Sequence, residues 1–91
     1  MKTYLMYDGR FYKIGKSKHP EKRLKEFKTS NPYIELCSWY DGDIEILCHQ
    51  KFWKNRIKNE WFKFNNKELD QVLRFMSLNS KCSFINIYDY L

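Results

Sequence analysis

Asp8-Gly9 lies between two runs of aromatic and branched residues, Thr3 to Tyr7 (TYLMY) and Phe11 to Gly15 (FYKIG). Such runs favour strands, and a short polar turn with glycine joins them as an antiparallel hairpin. The rest of the chain must pack against that hairpin. Its register decides which side chains share a face, because strand side chains alternate and a one-residue slip inverts them. With Asp8-Gly9 as a two-residue loop, Tyr4 pairs with Lys13, and Tyr4 and Tyr12 face opposite ways. With Asp8-Gly9-Arg10 as a three-residue loop, Tyr4 pairs with Ile14, Met6 pairs with Tyr12, and the two tyrosines share a face.

Beyond the hairpin, Lys16 to His19 reads as a polar loop. Pro20 suits the first position of a helix, where its missing N–H is no loss, and Glu21 suits the first turn. This helix is predicted to reach about Lys28, with Leu24 and Phe27 inward and Arg23 beside that stripe. Ile34 to Tyr40 alternates and predicts a third strand, with Ile34, Leu36 and Ser38 on one side and Glu35, Cys37 and Trp39 on the other. A second helix is expected from Asp43 to about Arg56, with Ile44, Leu47, Cys48 and Phe52 inward and His49 off the stripe. Glu60 to Phe64 is a short extended piece. Asn65 and Glu68 make a capping box for a third helix with Leu69, Val72, Leu73 and Met76 inward. The tail, Ser83 to Leu91, is apolar enough to pack as strand or helix. The expected fold class is α/β in the α+β sense, a small three-stranded, mainly antiparallel sheet flanked by helices. One domain is expected over residues 1–91, with its core over about 3–75 and a packed tail over 79–91.

The chain carries 17 Lys and Arg against 11 Asp and Glu, a formal net charge of +6. A chain this small and this basic usually meets a polyanion, most often nucleic acid. Lysines and arginines crowd between Arg10 and Lys28, and a second group follows at Lys51, Lys54, Arg56 and Lys58. Such stripes bind phosphates without reading sequence. Cys37, Cys48 and Cys82 are isolated, with no CxxC pair, which argues against a zinc ribbon or a redox dithiol. With no secretory leader, they point to a reducing, cytoplasmic setting. No apolar run approaches the roughly 20 residues of a membrane span.

Five stretches, taken in order, resemble the GIY-YIG nuclease domain, in particular its compact virus- and phage-associated branch. Lys2-Thr3-Tyr4-Leu5 keeps the tyrosine of the first motif and lacks its Gly-Ile. Tyr12-Lys13-Ile14-Gly15 is similar to the second. Lys16-Ser17 through Pro20, Arg23 and Leu24 looks like the family's loop and arginine helix. Leu47 to Phe52 looks like a Leu-x-His-x-x-Phe helix, and Arg56 with Glu60-Trp61-Phe62 like an Arg-x-x-x-Glu-Trp-Phe ending.

The resemblance implies metal-dependent hydrolysis of phosphodiester bonds, most readily in DNA and with little intrinsic sequence specificity. It implies catalytic roles for Tyr4, Tyr12, Arg23, His49 and Glu60. Arg23 would grip phosphate oxygens with its planar fork, and the tyrosines would orient water and phosphate, provided that they share a face. Glu60 is the leading ligand for Mg²⁺ or Mn²⁺, a hard oxygen donor. His49 is the second candidate ligand, and a nitrogen donor would favour Mn²⁺. Lys13, Gly15, Lys16, Lys18, Lys22 and Arg56 would contact nucleic acid. A domain of this size often works as a homodimer or beside a partner protein that supplies specificity. Two other readings stay open, a non-catalytic nucleic-acid-binding module of the same fold and a small basic interaction protein.

Overall fold

The structure is a computed structural model and describes residues 1–80, together with the backbone of 83–85. It is of the α+β class, with one antiparallel sheet and three helices. The strands are β1 (Lys2–Tyr7), β2 (Tyr12–Ser17), β3 (Glu35–Asp41), β4 (Arg56–Lys58), β5 (Trp61–Phe62) and β6 (Ser83–Ile85), in the spatial order β4-β5-β2-β1-β3-β6. The helices are α1 (Pro20–Lys28), α2 (Glu45–Lys51) and α3 (Asn66–Leu78). The sheet is therefore six strands wide, not three. The three added strands are only two or three residues long, too short to show an alternating pattern.

The hairpin takes neither of the two expected registers. Tyr7 pairs with Tyr12, Leu5 with Ile14 and Tyr4 with Gly15, so the loop holds four residues, Asp8 to Phe11. The Asp8 carboxylate accepts from the N–H groups of Arg10 (2.9 Å) and Phe11 (2.7 Å). Asp8 N–H closes the loop on the Phe11 carbonyl at 3.1 Å, and Gly9 supplies the positive φ of +98° that the turn demands.

Each face of the sheet carries its own apolar cluster. Leu5, Tyr12, Ile14, Tyr40 and Phe62 pack with Cys48 and Phe52 around α2 and with Leu69, Val72 and Met76 of α3. On the other face Tyr4, Met6, Ile34 and Leu36 lie under Leu24 and Phe27 of α1, with Trp39 and Trp61 alongside. The helices thus sandwich the sheet, α1 on one side and α2 with α3 on the other.

Strand β3 breaks the expected alternation. Its register against β1 shifts by one between Leu5 and Met6, so that Leu5 pairs with Ser38 and Met6 with Leu36, leaving Cys37 as the extra residue of a bulge. Cys37 therefore joins the α2–α3 face, while Trp39 returns to the α1 face with Leu36.

Helix α2 is shorter than the pattern from Asp43 to Arg56 suggests. It ends at Lys51 and gives way to a 3₁₀ turn, Trp53–Asn55, and then to β4. Cys48 and Phe52 are buried as expected, but Leu47 is exposed. The capping box of α3 forms in full. Asn65 Oδ1 accepts from Glu68 N–H at 2.8 Å, and Glu68 Oε1 accepts from Asn65 N–H at 2.9 Å. Of the tail, Ser83–Ile85 forms a strand against β3. Cys82 and the tail beyond residue 85 lie outside the described residues. Among the described residues no helix is long and apolar enough to cross a membrane.

Candidate active site

Of β2, only Tyr12 and Lys13 pair with strand β5. Past that point, among the described residues, the outer edge of β2 has no strand beside it, and its polar groups need other partners. Ile14 N–H donates to the Glu60 carbonyl at 2.9 Å. The Ile14 carbonyl accepts from His49 Nε2 at 2.9 Å. This gap in the ladder is where α1, α2 and the turn before β5 bring their side chains together.

Gly15 is at its centre. A Cβ built there would overlap the Tyr4 hydroxyl and lie 2.7 Å from Glu60 Oε1. Only hydrogen at this position leaves room for the phenol and the carboxylate to approach each other. Tyr4 is 1% exposed, packed edge-on to Phe27 with ring centroids 6.4 Å apart. Burial and the nearby Glu60 carboxylate push its phenol up to about 12, against the pull of the Arg23 guanidinium. Tyr4 is consequently a neutral hydrogen-bond donor at physiological pH rather than a base.

Glu60 is presented by a tight turn. Asn59 adopts φ +53°, a left-handed conformation that asparagine tolerates, and its carbonyl accepts from Arg56 Nε at 2.6 Å. The Glu60 carboxylate lies 3.5 Å from Lys13 Nζ. Lys13 in turn lies over the rings of Phe27 (4.8 Å) and Trp61 (5.1 Å). From α1, Arg23 stacks over Phe27 at 5.3 Å, keeps a loose contact with Glu26 at 3.8 Å and donates to the Tyr4 phenol.

Helix α2 reaches the same gap from the opposite layer. Buried Thr3 sets its start, donating to the Gly42 carbonyl (2.8 Å) and accepting from Ile44 N–H (2.9 Å). Glu45, the first helical residue, is half-buried. Its carboxyl is pushed up by burial and then by Glu60, and is eased by His49 and Lys16. Lys16 itself pairs with Asp43 at 3.0 Å on the rim, and that partner raises its ammonium pKa. Because a carbonyl can only accept, His49 Nε2 must carry the proton in its bond to Ile14. His49 is thereby tied to the sheet edge, with its ring edge-on to Phe62 at 5.0 Å.

The fold thus gathers Tyr4, Gly15, Arg23 and Glu60, with Lys13, Lys16 and His49 around them. It leaves out Tyr12. Pairing Tyr7 with Tyr12 turns that ring to the opposite face, where it stacks on Tyr7 at 4.4 Å and packs against Phe64. Burial and its neighbour Tyr7 raise its phenol to about 12, as expected of a core tyrosine. The next residue, Lys13, takes the place on the Tyr4 face that Tyr12 was expected to fill. Arg56 is held by Asn59 on outermost strand β4, away from Tyr4, and Lys18 and Lys22 line a separate trough. Glu45 was not among the expected site residues. Its signal was faint, a carboxylate one helical turn before His49.

The donor set can be weighed against a divalent cation. Glu60 supplies a hard oxygen bordering the space that Gly15 leaves, and Glu45 lies close enough to feel its charge. Among the described residues no group of three or more His, Cys, Asp or Glu side chains is placed to hold a metal ion. The arrangement suits a hydrated Mg²⁺, which keeps several waters and takes one or two carboxylates, and not a closed protein cage.

Comparison with known proteins gives one family. The T5orf172 domain matches residues 2–77. No curated protein and no solved structure gives a significant match.

Proposed function

Because the chain belongs to the T5orf172 domain family, phage-associated and nuclease-like, we propose that it is a metal-dependent endonuclease of the GIY-YIG kind, cutting nucleic acid, with DNA the first substrate to test. The observation that carries this reading is the convergence of Tyr4, Arg23 and Glu60 around a glycine that admits no side chain.

In this reading the scissile phosphate docks at the open edge of β2. Arg23 grips two of its oxygens, and the Tyr4 phenol donates to one of them. Lys13 holds the Glu60 carboxylate in place and adds positive charge beside the phosphate. The oxygen of a water attacks phosphorus and gives its proton to Glu45. A carboxylate with raised pKa suits that task near neutral pH. The bond from phosphorus to the leaving sugar oxygen breaks, and that oxygen takes a proton from solvent. A divalent cation held by Glu60, with Glu45 next to it, would supply charge stabilisation at the leaving oxygen. His49 positions α2 through its bond to Ile14.

The test is cleavage of supercoiled plasmid and of a labelled RNA with Mg²⁺, with Mn²⁺ and with chelator. Wild type is compared with Glu60→Gln and Arg23→Ala. Metal-dependent cutting that both variants lose supports the reading. Salt-sensitive binding without cutting, in either metal, would replace it with a binding module of the same fold. The first motif lacks its Gly-Ile ahead of Tyr4, and that is the observation that favours the second reading.

A further inference from the structure

Helix α1 has two flanks. Arg23 leans from one toward Tyr4. Along the other runs a trough of about 570 Å³ whose walls include Lys2, Lys18, Lys22, Lys25 and Trp39. We propose that this trough holds a single strand of nucleic acid, its lysines taking backbone phosphates while one unpaired base stacks on Trp39. The inference rests on the nuclease reading for its choice of polyanion and goes beyond it in naming the strand that the protein grips and the surface that grips it.

Charge is the first argument. The trough carries four lysines against one carboxylate, Glu21. Lys22 and Lys25 stand about one helical turn apart on the exposed side of α1, and Lys18 precedes them where the chain enters the helix. A row of ammonium groups at that interval follows a phosphate backbone without reading its sequence.

The indole is the second argument. The bulge in β3 returns Trp39 to the α1 face, as the cross-strand neighbour of Tyr4. The trough therefore begins one strand away from the candidate active site. Trp39 is only partly buried, and Lys2 Nζ lies 4.9 Å from its ring centroid. That ring face is accordingly within reach of a group in the trough. An exposed ammonium is held on an indole more weakly than a stacked base is. An arriving base therefore displaces Lys2 from the ring, and the released ammonium is well placed for a phosphate. Paired bases in an intact duplex do not offer their faces to the indole, so the site discriminates in favour of single strands.

The experiment uses the whole chain in chelator, so that nothing is cut. Binding of labelled oligothymidylate, oligouridylate and a mixed-sequence duplex is followed by fluorescence anisotropy over a range of salt. The variants are Trp39→Leu, Trp39→Phe, the pair Lys22→Gln with Lys25→Gln, and Lys67→Gln, on the exposed side of α3 in the opposite layer, as a control. The lysine pair should flatten the slope of log K against log salt by about 1.4, or about 0.7 for each phosphate no longer neutralised. Trp39→Leu should weaken single-strand binding about 5- to 150-fold and change duplex binding less than twofold, and Trp39→Phe should recover part of the loss. Lys67→Gln should keep the wild-type slope. The two oligonucleotides tell whether DNA or RNA is held better. Wild-type affinity and slope in the lysine pair would overturn the trough, as would equal loss of duplex and single-strand binding in Trp39→Leu. Should Trp39→Leu unfold, the lysine pair and Trp39→Phe decide. Cutting by a protein whose trough variants bind normally removes this inference and leaves the nuclease standing. The expected binding pattern in a protein that never cuts does the reverse.

Discussion

The Lys13 ammonium lies 3.5 Å from the Glu60 carboxylate, on the same face of the sheet as Tyr4. Lys13 is enclosed between Phe27 and Trp61, its side chain 13% exposed, so the pair is shielded more than an ordinary surface ion pair. The second motif therefore faces the candidate site with its lysine, and Tyr12 next to it packs in the core.

That division separates the two tyrosines. Tyr4→Phe removes a donor aimed at a charged phosphate, and cleavage should fall about 10- to 100-fold. Tyr12→Phe should cut within twofold of wild type, since its ring keeps its stack on Tyr7. Steady-state cleavage rates of the two proteins, each checked for folding, decide the matter. Equal losses would show that the tyrosines act together after all.

Gly15→Ala is expected to be damaging although its backbone is unstrained. The added methyl meets the Tyr4 ring and Glu60 Oε1. Overpacking of this kind costs about 1–3 kcal/mol. Urea denaturation should show that loss, and cleavage should fall further than stability explains, because the clash separates the phenol from the carboxylate. Gly9→Ala, in an open turn, should show only the strain of its positive φ and leave the cleavage rate of the folded protein intact.

Glu45 is costly to the fold, and in the proposed reaction it takes the proton of the attacking water. Burial and Glu60 raise its pKa, so the native state prefers it protonated more than the unfolded chain does. Above its unfolded pKa near 4.3 its charge thus subtracts from stability. Glu45→Gln should therefore be more stable at pH 7, by under about 1 kcal/mol given its partial exposure. The same variant should lose cleavage and the acid limb of the pH–rate profile. Thermal melts and cleavage rates on one preparation test both halves.

Alkaline stability follows from the tyrosines. Tyr4 and Tyr12 are both raised from 10.0 to about 12. Between those values the unfolded chain releases protons that the native state retains, so stability should fall as pH rises through that window and be unaffected by these groups below it. Each phenol contributes a slope of up to about 1.4 kcal/mol per pH unit. Chemical denaturation from about pH 9 to about pH 12 should show the decline. It should be shallower in Tyr4→Phe, and a decline of equal steepness would place the titration elsewhere.

Much of the local structure was legible in the sequence. Pro20 and Glu21 start α1, and Asn65 with Glu68 caps α3. Arg23 beside the apolar stripe, and Glu60 ahead of Trp61, were readable as candidate site residues, and the fold brings both to Tyr4. Glu60 to Phe64 was readable as an extended piece and contains β5; less visible were β4, too short for a period of two, and the end of α2, where Phe52 continues the helical spacing although the helix stops at Lys51.

Sequence was enough for the features whose causes lie within a few residues, namely the helix starts, the apolar stripe of α1 and the basic charge. Which side chains meet was settled only in three dimensions. The Asp8 carboxylate closes a four-residue loop, and the resulting register sends Tyr4 and Tyr12 to opposite faces. The bulge at Cys37 moves Trp39 beside Tyr4, and the gap beyond β5 admits His49 and Glu45. The cause is that strand side chains alternate with a period of two. One residue gained or lost in a turn or bulge reverses a face, and which alternative wins depends on burial and hydrogen bonds made by residues far apart in the chain.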